Sequence, residues 1–486
     1  MTVRTRYAPS PTGAPQLGNI RTALFGWLFA RGSDGTFILR IEDTDQARAV
    51  EGGIQQQYEA LRWLGLNWDE GPDVGGPHAP YVQSQRLDLY RQAAERLVAE
   101  GNAYPCFCTV QRLDDLRKQQ VAAKQPPGYD RLCRGLSAEE RERRLSAGES
   151  HVIRFAVPLS GEVTFHDLIR GDVTVQNGTL DDFVIIKSDG YPTYHLAVVV
   201  DDHAMEITHV LRGEEWLPSA PRHQLLHKAL GIEPPVFVHM SVILGPDRKK
   251  LSKRLGATSV LEYRDAGYLP EAIINFLALI GWSLDDKTEI INRQQLLENF
   301  RLEDISPSPG ILDSEKLRWM NGEYIRALPE DDLAERILPF LLEELPETAR
   351  KPDLEFVKRI VPLIQTRIEV LTDVWNLTAF FFTEDVFLAP GDLLGKRFQD
   401  DQAAALMALQ TAERKLAELD SWTATVIEEA LRALGDELGL KPRDFFGLIR
   451  MGVTGSAVSP PLFESLEVLG REPTLERLAS AREVLS

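Results

Sequence analysis

The first 41 residues alternate between strand-favouring and helix-favouring segments, and this alternation strongly constrains the fold. Residues 3–8 predict a short strand, residues 20–30 an apolar helix, and residues 36–41 a second strand of β-branched and apolar residues. A strand, a helix and a strand in that order form a β-α-β unit, in which the two strands are parallel. We therefore predict an α/β protein built on a parallel sheet.

The pattern changes further along the chain. Two helices are expected at residues 54–64 and 84–100, and a charged stretch at 110–148 is interpreted as the start of an insertion. The strand-like segments of this insertion are 152–157, 163–165 and 183–186. The sheet is expected to resume with strands at 194–200, 207–212 and 236–244. From about Leu328 onward the pattern is nearly all helical.

Length and composition exclude several classes of protein. A chain of 486 residues is too long for one ordinary core and predicts roughly two to four domains. A net charge of −19 argues against a protein that coats nucleic acid through a broad positive surface. The start of the chain does not resemble a signal peptide, and no apolar run approaches the ~20 residues of a membrane span. We expect a cytosolic protein without a membrane partner.

Two segments are candidates for handling phosphate. The Pro/Gly-rich turn from Pro9 to Asn19 joins a predicted strand to a helix, so backbone N–H groups and the helix dipole face any ligand there. An ordinary strand-to-helix turn is the alternative. Residues 248–254 contain five cations, and Lys250 and Lys253 could stabilise charge during phosphoryl or adenylyl transfer. A solvated basic loop is the alternative here.

Acidic residues follow two of the predicted strands. Glu42, Asp43 and Asp45 come after the second strand, and the pair at 201–202 follows the segment 194–200. Ligands of parallel sheets bind at the carboxyl ends of strands, where these acids could hold an ammonium group, a ribose or Mg²⁺. Helix capping by aspartate is the alternative.

Five motifs together resemble the bacterial glutamyl-tRNA synthetases, which are class I synthetases. They occur in the order and at the spacing of that family, and they are Tyr7-Ala-Pro-Ser-Pro-Thr-Gly13, Leu39-Arg-Ile-Glu-Asp-Thr-Asp45, Pro192-Thr-Tyr-His-Leu-Ala197 with Val200-Asp-Asp202, Leu211-Arg-Gly-Glu-Glu215 and Lys250-Leu-Ser-Lys-Arg254. The resemblance extends over about the first 320 residues. It continues more loosely through the helical part, at Met451-Gly-Val-Thr-Gly455 and Ser459-Pro-Pro-Leu-Phe463.

The resemblance implies a fold class and a domain plan. A Rossmann-type parallel-sheet catalytic domain would comprise residues 1–69 and 188–245, interrupted by an inserted α+β domain at 70–187 that holds the acceptor end of tRNA. Residues 246–327 would contain a KMSKS-type loop and a stem-contact region. An all-α anticodon-binding region would follow at 328–486.

The resemblance also implies a reaction and its partners. ATP, with Mg²⁺, would activate L-glutamate as glutamyl-adenylate, and the glutamyl group would pass to the 3′ end of tRNA(Glu) for protein synthesis. Whether the tRNA for glutamine, tRNA(Gln), is also a substrate is left open. The enzyme would be a monomer.

Site residues follow from the motifs by similarity. Those implied for glutamate are Arg6, Ala8, Ser10, Glu42, Tyr194 and Arg212, with Arg6 on the side-chain carboxylate and Glu42 on the ammonium group. Those implied for ATP are Pro9, Gly13, Gln16, Gly18, Asn19, Glu215, Trp216, Lys250, Leu251, Ser252, Lys253 and Arg254. Lys250, Lys253 and Gln16 would act in catalysis, the lysines by stabilising the departing pyrophosphate.

One residue departs from the family pattern. The phosphate-contacting signature of the family begins with histidine, whereas the matching tetrad here is Gln16-Leu-Gly-Asn19. Glutamine keeps a neutral N–H donor of similar reach but supplies no imidazolium. We interpret the substitution as tolerated; a slow or altered paralog is the alternative.

The three cysteines of the chain resemble a zinc site found in part of the family. Cys106, Cys108 and Cys133 lie within 28 residues, which is not the pattern of a disulfide-rich secreted protein. By similarity they would bind Zn²⁺ with Tyr129 as the fourth ligand, because Gly135 stands where a histidine ligand is expected. Three reduced thiols in a packed insertion are the alternative.

Three other functions compete with this interpretation. A glutaminyl-tRNA synthetase shares the catalytic architecture, but its anticodon part is a β-barrel, and few alternating β stretches follow Leu328. A tRNA-independent relative that glutamylates a modified base lacks the anticodon domain. A catalytically silent tRNA-binding protein is favoured only by Gln16, and Lys250 and Lys253 count against it.

Overall fold

The structure is a computed structural model that describes residues 2–249, 259–347, 349–384, 386 and 388–486. The chain forms two compact units. The first comprises Met1–Tyr263 and Ile273–Asp313, and the second Arg264–Ala272 and Ser314–Ser486. Lys250, Leu251, Ser252, Lys253 and Arg254 lie outside the described residues.

Strands are confined to the first part of the described chain. They are β1 (Arg4–Tyr7), β2 (Thr36–Leu39), β3 (Ala103–Cys106), β4 (Val152–Phe155), β5 (Glu162–Asp167), β6 (Gly171–Gln176), β7 (Val184–Ile186), β8 (His209–Gly213), β9 (Val236–Met240), β10 (Ile243–Leu244) and β11 (Gly310–Ile311).

Helices occur throughout. Up to residue 327 they are α1 (Leu17–Gly32), α2 (Gly53–Trp63), α3 (Leu87–Ala99), α4 (Val110–Ala122), α5 (Ala138–Ser146), α6 (Tyr194–Ala204), α7 (Ala220–Leu230), α8 (Val260–Asp265), α9 (Pro270–Leu279), α10 (Arg293–Asn299) and α11 (Ser314–Ala327). Beyond it they are α12 (Glu330–Glu344), α13 (Leu354–Ile364), α14 (Asp373–Thr378), α15 (Pro390–Phe398), α16 (Gln402–Ala417), α17 (Ala424–Glu437), α18 (Pro442–Thr454), α19 (Leu462–Leu469) and α20 (Arg471–Val484).

The β-α-β unit predicted from the first 41 residues is confirmed. β1 and β2 are parallel, with Arg6 opposite Ile38 and Tyr7 opposite Leu39. Most residues of α1 are buried, which is why its apolar residues do not follow a single stripe. The backbone N–H of Thr208 donates to the carbonyl of Arg4, and this bond links β1 to the chain entering β8.

A four-stranded sheet in the order β6-β5-β9-β8 brings distant segments together. β8 and β9 are parallel, and β5 joins β9 in parallel where Asp167 pairs with Phe237. β5 and β6 come from the segment expected to be an insertion, so part of that segment extends the sheet of β8 and β9. The other strands of that segment, β4 and β7, form an antiparallel sheet with β3.

The strand predicted at residues 194–200 is wrong, because Tyr194–Ala204 is the helix α6. The short apolar run from Leu196 to Val200 suits a buried strand or a buried helix equally well by periodicity. Leu196, Ala197, Val198 and Val199 are all buried in one core with residues of α3 and α7. Asp201 and Asp202 therefore lie in the last turns of a helix and do not follow a strand.

The second unit is helical, as predicted for the region after Leu328. Among its described residues, 264–272, 314–347, 349–384, 386 and 388–486, there is no strand. Its two apolar cores contain Leu333, Ile360 and Val374 in one and Leu409, Phe445 and Leu478 in the other. Within the described part of the chain, no helix is long and apolar enough to cross a membrane.

Candidate active site

A cavity of about 370 Å³ in the first unit brings the predicted site residues together. All six residues implied for glutamate line it: Arg6, Ala8, Ser10, Glu42, Tyr194 and Arg212. Six of those implied for ATP also line it: Pro9, Gln16, Gly18, Asn19, Glu215 and Trp216. These residues come from β1, α1, α6 and β8 and from the segments that follow β1, β2 and β8.

The turn after β1 is shaped by hydrogen bonds and one glycine. The carbonyl of Pro9 accepts from the backbone N–H of Glu42, which ties the turn to the end of β2. Gly13 has a φ of +114°, a conformation that side-chain-bearing residues rarely adopt, and its carbonyl accepts from Gln57. Gly13 does not itself line the cavity, and its backbone conformation shapes the turn that does.

Gln16 precedes the first turn of α1 and lines the cavity. Its backbone is extended, and its side chain makes no capping hydrogen bond to the helix. It pairs with Ser259 in an isolated antiparallel bridge. Ile243, which also lines the cavity, precedes the segment 250–258, and Ser259 follows it. Described residues before and after that segment therefore lie at or next to the cavity.

A buried ion network holds the glutamate-side residues. Arg6 donates through Nε to Asp202 over 3.1 Å and through Nη2 over 3.3 Å. Arg40, which is fully buried, donates to Asp202 over 2.7 Å and to Glu42 over 2.9 Å. Asp202 is thus the shared acceptor that links Arg6 to Arg40, and Arg40 links both to Glu42.

The pKa directions in this network differ between its two acids. Burial raises the pKa of Asp202, but its ion pairs with Arg6 and Arg40 outweigh burial and hold the pKa below its usual range. Burial raises the pKa of Glu42 above its usual range, and the opposing ion pair with Arg40 does not cancel this effect. The positive charge near Glu42 therefore does not offset its burial, whereas the positive charge near Asp202 does.

Asp201 lies on the other side of the network. It accepts from Gln83 over 2.8 Å, from Arg86 over 2.7 Å and from Tyr90 over 2.8 Å. The sequence left both ligand binding and helix capping open for the acids at 201–202, and in the structure these contacts of Asp201 anchor α3 and the segment before it to α6.

Arg212 lines the cavity and forms hydrogen bonds with three side chains. Its Nε donates to His239 over 2.9 Å, and its Nη1 donates to the hydroxyl of Tyr194 over 3.1 Å and to His223 over 3.3 Å. Its Nη2 is buried and has no hydrogen-bond partner in the described structure. Tyr194 packs in turn against Trp216, with ring centroids 4.3 Å apart.

Sequence reasoning missed several residues that line the cavity. These are Tyr7, Thr12, Arg21, Thr22, Arg48, Leu211, Gly213, Ser241, Val242 and Ile243. Arg21 is the most informative, since it is buried and donates to the carbonyls of Ser241 and Ile280. Burial lowers its pKa to about 10. Its place one turn into α1, directly after Gly18-Asn19-Ile20, was the available signal.

The cysteine cluster forms a separate group in the same unit. The sulfurs of Cys106, Cys108 and Cys133 all lie within 4.8 Å of one another. Cys108 and Cys133 are 3.5 Å apart, and the hydroxyl of Tyr129 lies 3.2 Å from Cys106 and 3.7 Å from Cys108. Tetrahedral Zn²⁺ with Zn–S bonds of about 2.3 Å separates two sulfurs by about 3.8 Å. The four predicted ligands therefore lie close enough together to fit one zinc ion.

Comparison with known proteins identifies the family. A model described as the catalytic domain of class I tRNA synthetases (E and Q) matches residues 2–319, and one described as an anticodon binding domain matches residues 332–482. The glutamate–tRNA ligase of Dehalococcoides mccartyi is 54% identical over 485 residues, covering 100% of this chain and 98% of that protein. That of Moorella thermoacetica is 47% identical over 481 residues, covering 99% and 98% respectively.

A solved structure gives the same result. The crystal structure of a glutamate tRNA ligase from Elizabethkingia meningosepticum, in complex with its amino acid, matches with a TM-score of 0.90 and 36% identity. The match covers 100% of both chains. The resemblance inferred from the five motifs is confirmed, as is a class I catalytic domain joined to an anticodon domain. This chain belongs to the glutamate–tRNA ligase family of class I aminoacyl-tRNA synthetases.

Proposed function

We propose that this protein is a glutamate–tRNA ligase that activates L-glutamate with ATP and transfers it to the 3′ end of tRNA(Glu). The observation that carries the proposal is the cavity of about 370 Å³, which is lined by every residue implied for glutamate and by half of those implied for ATP. A cavity of this size with convergent polar groups suits a small charged substrate and part of a nucleotide.

The proposed glutamate-binding site is supported by N–H groups of Arg6 and Arg212 that have no acceptor among the described residues. The contacts of Arg6 with Asp202 and Leu211 occupy three of its five N–H bonds, which leaves two for a carboxylate. Nη2 of Arg212 offers two more. Glutamate has two carboxylates, and a planar guanidinium binds a carboxylate in a bidentate manner. We assign Arg6 to the side-chain carboxylate, where the amide of glutamine would place donors against donors.

Glu42 is assigned to the substrate ammonium group. Its carboxylate is buried, lines the cavity and has a raised pKa because Arg40 does not fully offset its burial. A cation in the cavity would complete that counter-charge and stabilise the ionised form. Ser10 and Tyr194 supply neutral hydroxyls to the same cavity.

The ATP side uses the turn after β1 and the start of α1. Gly18, Asn19 and Gln16 line the cavity at the helix N-terminus, where backbone N–H groups and the helix dipole favour phosphate. The reaction needs no protein nucleophile, because the glutamate carboxylate attacks the α-phosphorus and pyrophosphate leaves. A terminal ribose hydroxyl of the tRNA then attacks the carbonyl of the adenylate, and AMP leaves. Mg²⁺ supplies charge that screens the phosphate oxygens.

Lys250 and Lys253 are proposed to stabilise the departing pyrophosphate, although both lie outside the described residues. Support comes from their described neighbours, because Ile243 lines the cavity and Ser259 pairs with Gln16. Ammonium groups near the phosphates act by electrostatic stabilisation of developing charge.

We also propose that Cys106, Cys108, Tyr129 and Cys133 bind a structural Zn²⁺. The support is the close approach of three sulfurs and one phenolic oxygen, in a segment that otherwise has a small core. Three thiolates are the ligands that zinc favours, and the fourth position falls to Tyr129. Zinc here would hold the strand β3 to the chain around Cys133.

The decisive experiment is glutamate-dependent exchange of pyrophosphate into ATP, measured with and without tRNA. Exchange with glutamate, and at least a hundredfold less with glutamine, is the expected result. No exchange under either condition would favour a silent tRNA-binding protein. Aminoacylation of purified tRNA(Glu) and tRNA(Gln) then determines whether the second tRNA is also a substrate, and sedimentation of the purified chain tests the proposed monomer.

A further inference from the structure

Asp167 and His239 form a buried pair directly behind Arg212. Both side chains are fully buried, and neither lines the cavity. His239 Nδ1 lies 2.6 Å from Asp167 Oδ2, and His239 Nε2 lies 2.9 Å from Arg212 Nε. Asp167 comes from β5, His239 from β9 and Arg212 from β8, so the three meet only because β9 lies between β5 and β8.

The hydrogen-bond chemistry allows one arrangement of protons. Arg212 Nε can only donate, so His239 Nε2 must accept, and the ring proton must lie on Nδ1. A proton on Nδ1 donates to the Asp167 carboxylate, which can only accept. Asp167 thus selects the tautomer of His239 that can hold Arg212, and protonation of Nε2 would break that contact.

The remaining contacts of Arg212 show what this arrangement leaves available. Nη1 is used by Tyr194 and His223, and Nε is used by His239. Because the guanidinium is planar, fixing Nε and Nη1 also fixes the direction of Nη2. That atom is buried and unpaired among the described residues, and Arg212 is only 5% exposed while lining the cavity.

We propose that the Asp167–His239 pair positions Arg212 so that its Nη2 faces a carboxylate of the bound glutamate. Asp167 and His239 are positioning residues, since they act through Arg212 and do not touch the cavity. The inference rests on the proposed function of Arg212 as a glutamate-binding residue.

Asp167 also supports the fold, and this guides the choice of variants. Its carboxylate accepts backbone N–H groups from Ile169, Arg170 and His239 in addition to the ring of His239. Replacing Asp167 would disturb the turn after β5 together with the positioning of Arg212. Among the described residues, the ring of His239 forms hydrogen bonds to Asp167 and Arg212 alone and stacks on Phe237, so it is the better site for substitution.

Two substitutions at His239 separate its two contacts. In His239→Asn the side-chain amide reaches the place of Nδ1, so the donor to Asp167 is kept and the acceptor for Arg212 is lost. In His239→Gln the amide oxygen reaches the place of Nε2, so the acceptor for Arg212 is kept. His227→Asn is the matched control, because His227 is equally buried and bonds a backbone carbonyl through Nδ1 without contacting Arg212.

Pyrophosphate exchange by the full chain with tRNA provides the readout. We expect His239→Asn to raise the KM for glutamate about 10- to 100-fold and His239→Gln less than about threefold, with the KM for ATP unchanged within twofold. His227→Asn should leave the KM for glutamate unchanged. Equal KM values for glutamate in the Asn and Gln variants would overturn the proposal.

A measurement on the unmodified protein covers the case in which His239→Asn does not fold. ¹⁵N-histidine NMR, with the His239 signals assigned through His239→Gln, should show Nδ1 protonated and Nε2 unprotonated. The opposite tautomer would overturn the proposal. Arg212→Gln distinguishes failure of this proposal from failure of the proposed function. An unchanged KM for glutamate in Arg212→Gln would refute the role of Arg212 in binding glutamate. A raised KM in Arg212→Gln together with an unchanged KM in His239→Asn would refute only the positioning by Asp167 and His239.

Discussion

Arg40 donates to Asp202 over 2.7 Å in a place where neither side chain reaches solvent appreciably. The same guanidinium holds Glu42, and the same carboxylate holds Arg6. One buried ion pair therefore sets the distance between the residue assigned to the substrate side chain and the residue assigned to its ammonium group. We therefore expect substitutions in this network to change both the stability of the first unit and its affinity for glutamate.

Removing the charge of Arg40 should destabilise the protein. Arg40→Met leaves Glu42 without its ion-pair partner and Asp202 paired with Arg6 alone, so we expect the free energy of unfolding to fall by about 3–5 kcal/mol. Urea denaturation followed by tryptophan fluorescence measures the change. Arg31→Met is the control, because the ion pair of Arg31 with Asp69 is partly exposed and should contribute less than about 1 kcal/mol. Equal losses of stability in Arg40→Met and Arg31→Met would contradict a stabilising role of the buried ion network around Arg40.

Our interpretation that glutamine is tolerated at position 16 predicts the effect of restoring histidine. Because the amide of Gln16 offers an N–H donor of similar reach, Gln16→His should change the rate of glutamate activation less than tenfold. Gln16→Ala, which removes the donor, should lower that rate about tenfold. Pyrophosphate exchange measures both. An increase of a hundredfold or more in Gln16→His would show that this chain is a slow variant of its family.

Lys253 and its neighbour Lys249 give a matched test of the basic loop. Lys253→Ala should lower the exchange rate about 10²- to 10³-fold, with little change in the KM for glutamate, because the ammonium group acts on charge that develops in the transition state. Lys249→Ala removes the same charge from an exposed residue and should change the rate less than twofold. Similar losses in the two variants would indicate a general effect of positive charge.

Metal analysis tests the zinc site. The purified chain should contain about one equivalent of zinc, and Cys133→Ser should contain much less, because a tetrahedral site needs four ligands. Tyr129→Phe removes the phenolic oxygen and should weaken binding, whereas Tyr191→Phe, outside the cluster, should not. Less than a tenth of an equivalent in the unmodified protein would exclude the site.

The buried histidines near Arg212 predict acid sensitivity. Burial, with Arg222 and Arg212 nearby, lowers the pKa of His195 to about 4, and burial also lowers that of His223. In the unfolded chain the pKa values of both histidines return to about 6.5. Between these values the unfolded state binds protons that the folded state does not, so stability falls as the pH falls from about 6.5 towards 4.

Urea midpoints measured between pH 7 and pH 5 test this dependence. His195→Asn keeps an acceptor for His223 and cannot bind a proton in this range, so the midpoint should depend less on pH than in the unmodified protein. His203→Gln, at an exposed histidine, should leave the dependence unchanged. An unaltered slope in His195→Asn would contradict the assignment.

The local sequence pattern correctly predicted elements in which strand or helix propensity agrees with the tertiary structure. The β-α-β start and the helical second unit were predictable, because strand and helix propensities there agree with the tertiary structure. The segment 194–200 was not, since a short apolar run suits either a buried strand or a buried helix. No strand was predicted from the sequence at β3 or at β6.

The family followed from five motifs, because such motifs keep residue types and spacing that can be recognised in the printed sequence, and the residues proposed to bind glutamate and the nucleotide were taken from the same motifs. Which partners those residues have was decided only by the tertiary structure. Asp202 meets Arg6 and Arg40, and Asp167 meets His239 behind Arg212, across 162 to 196 and 72 positions of chain respectively. Contacts over such distances depend on strand order and helix packing, which no local pattern encodes.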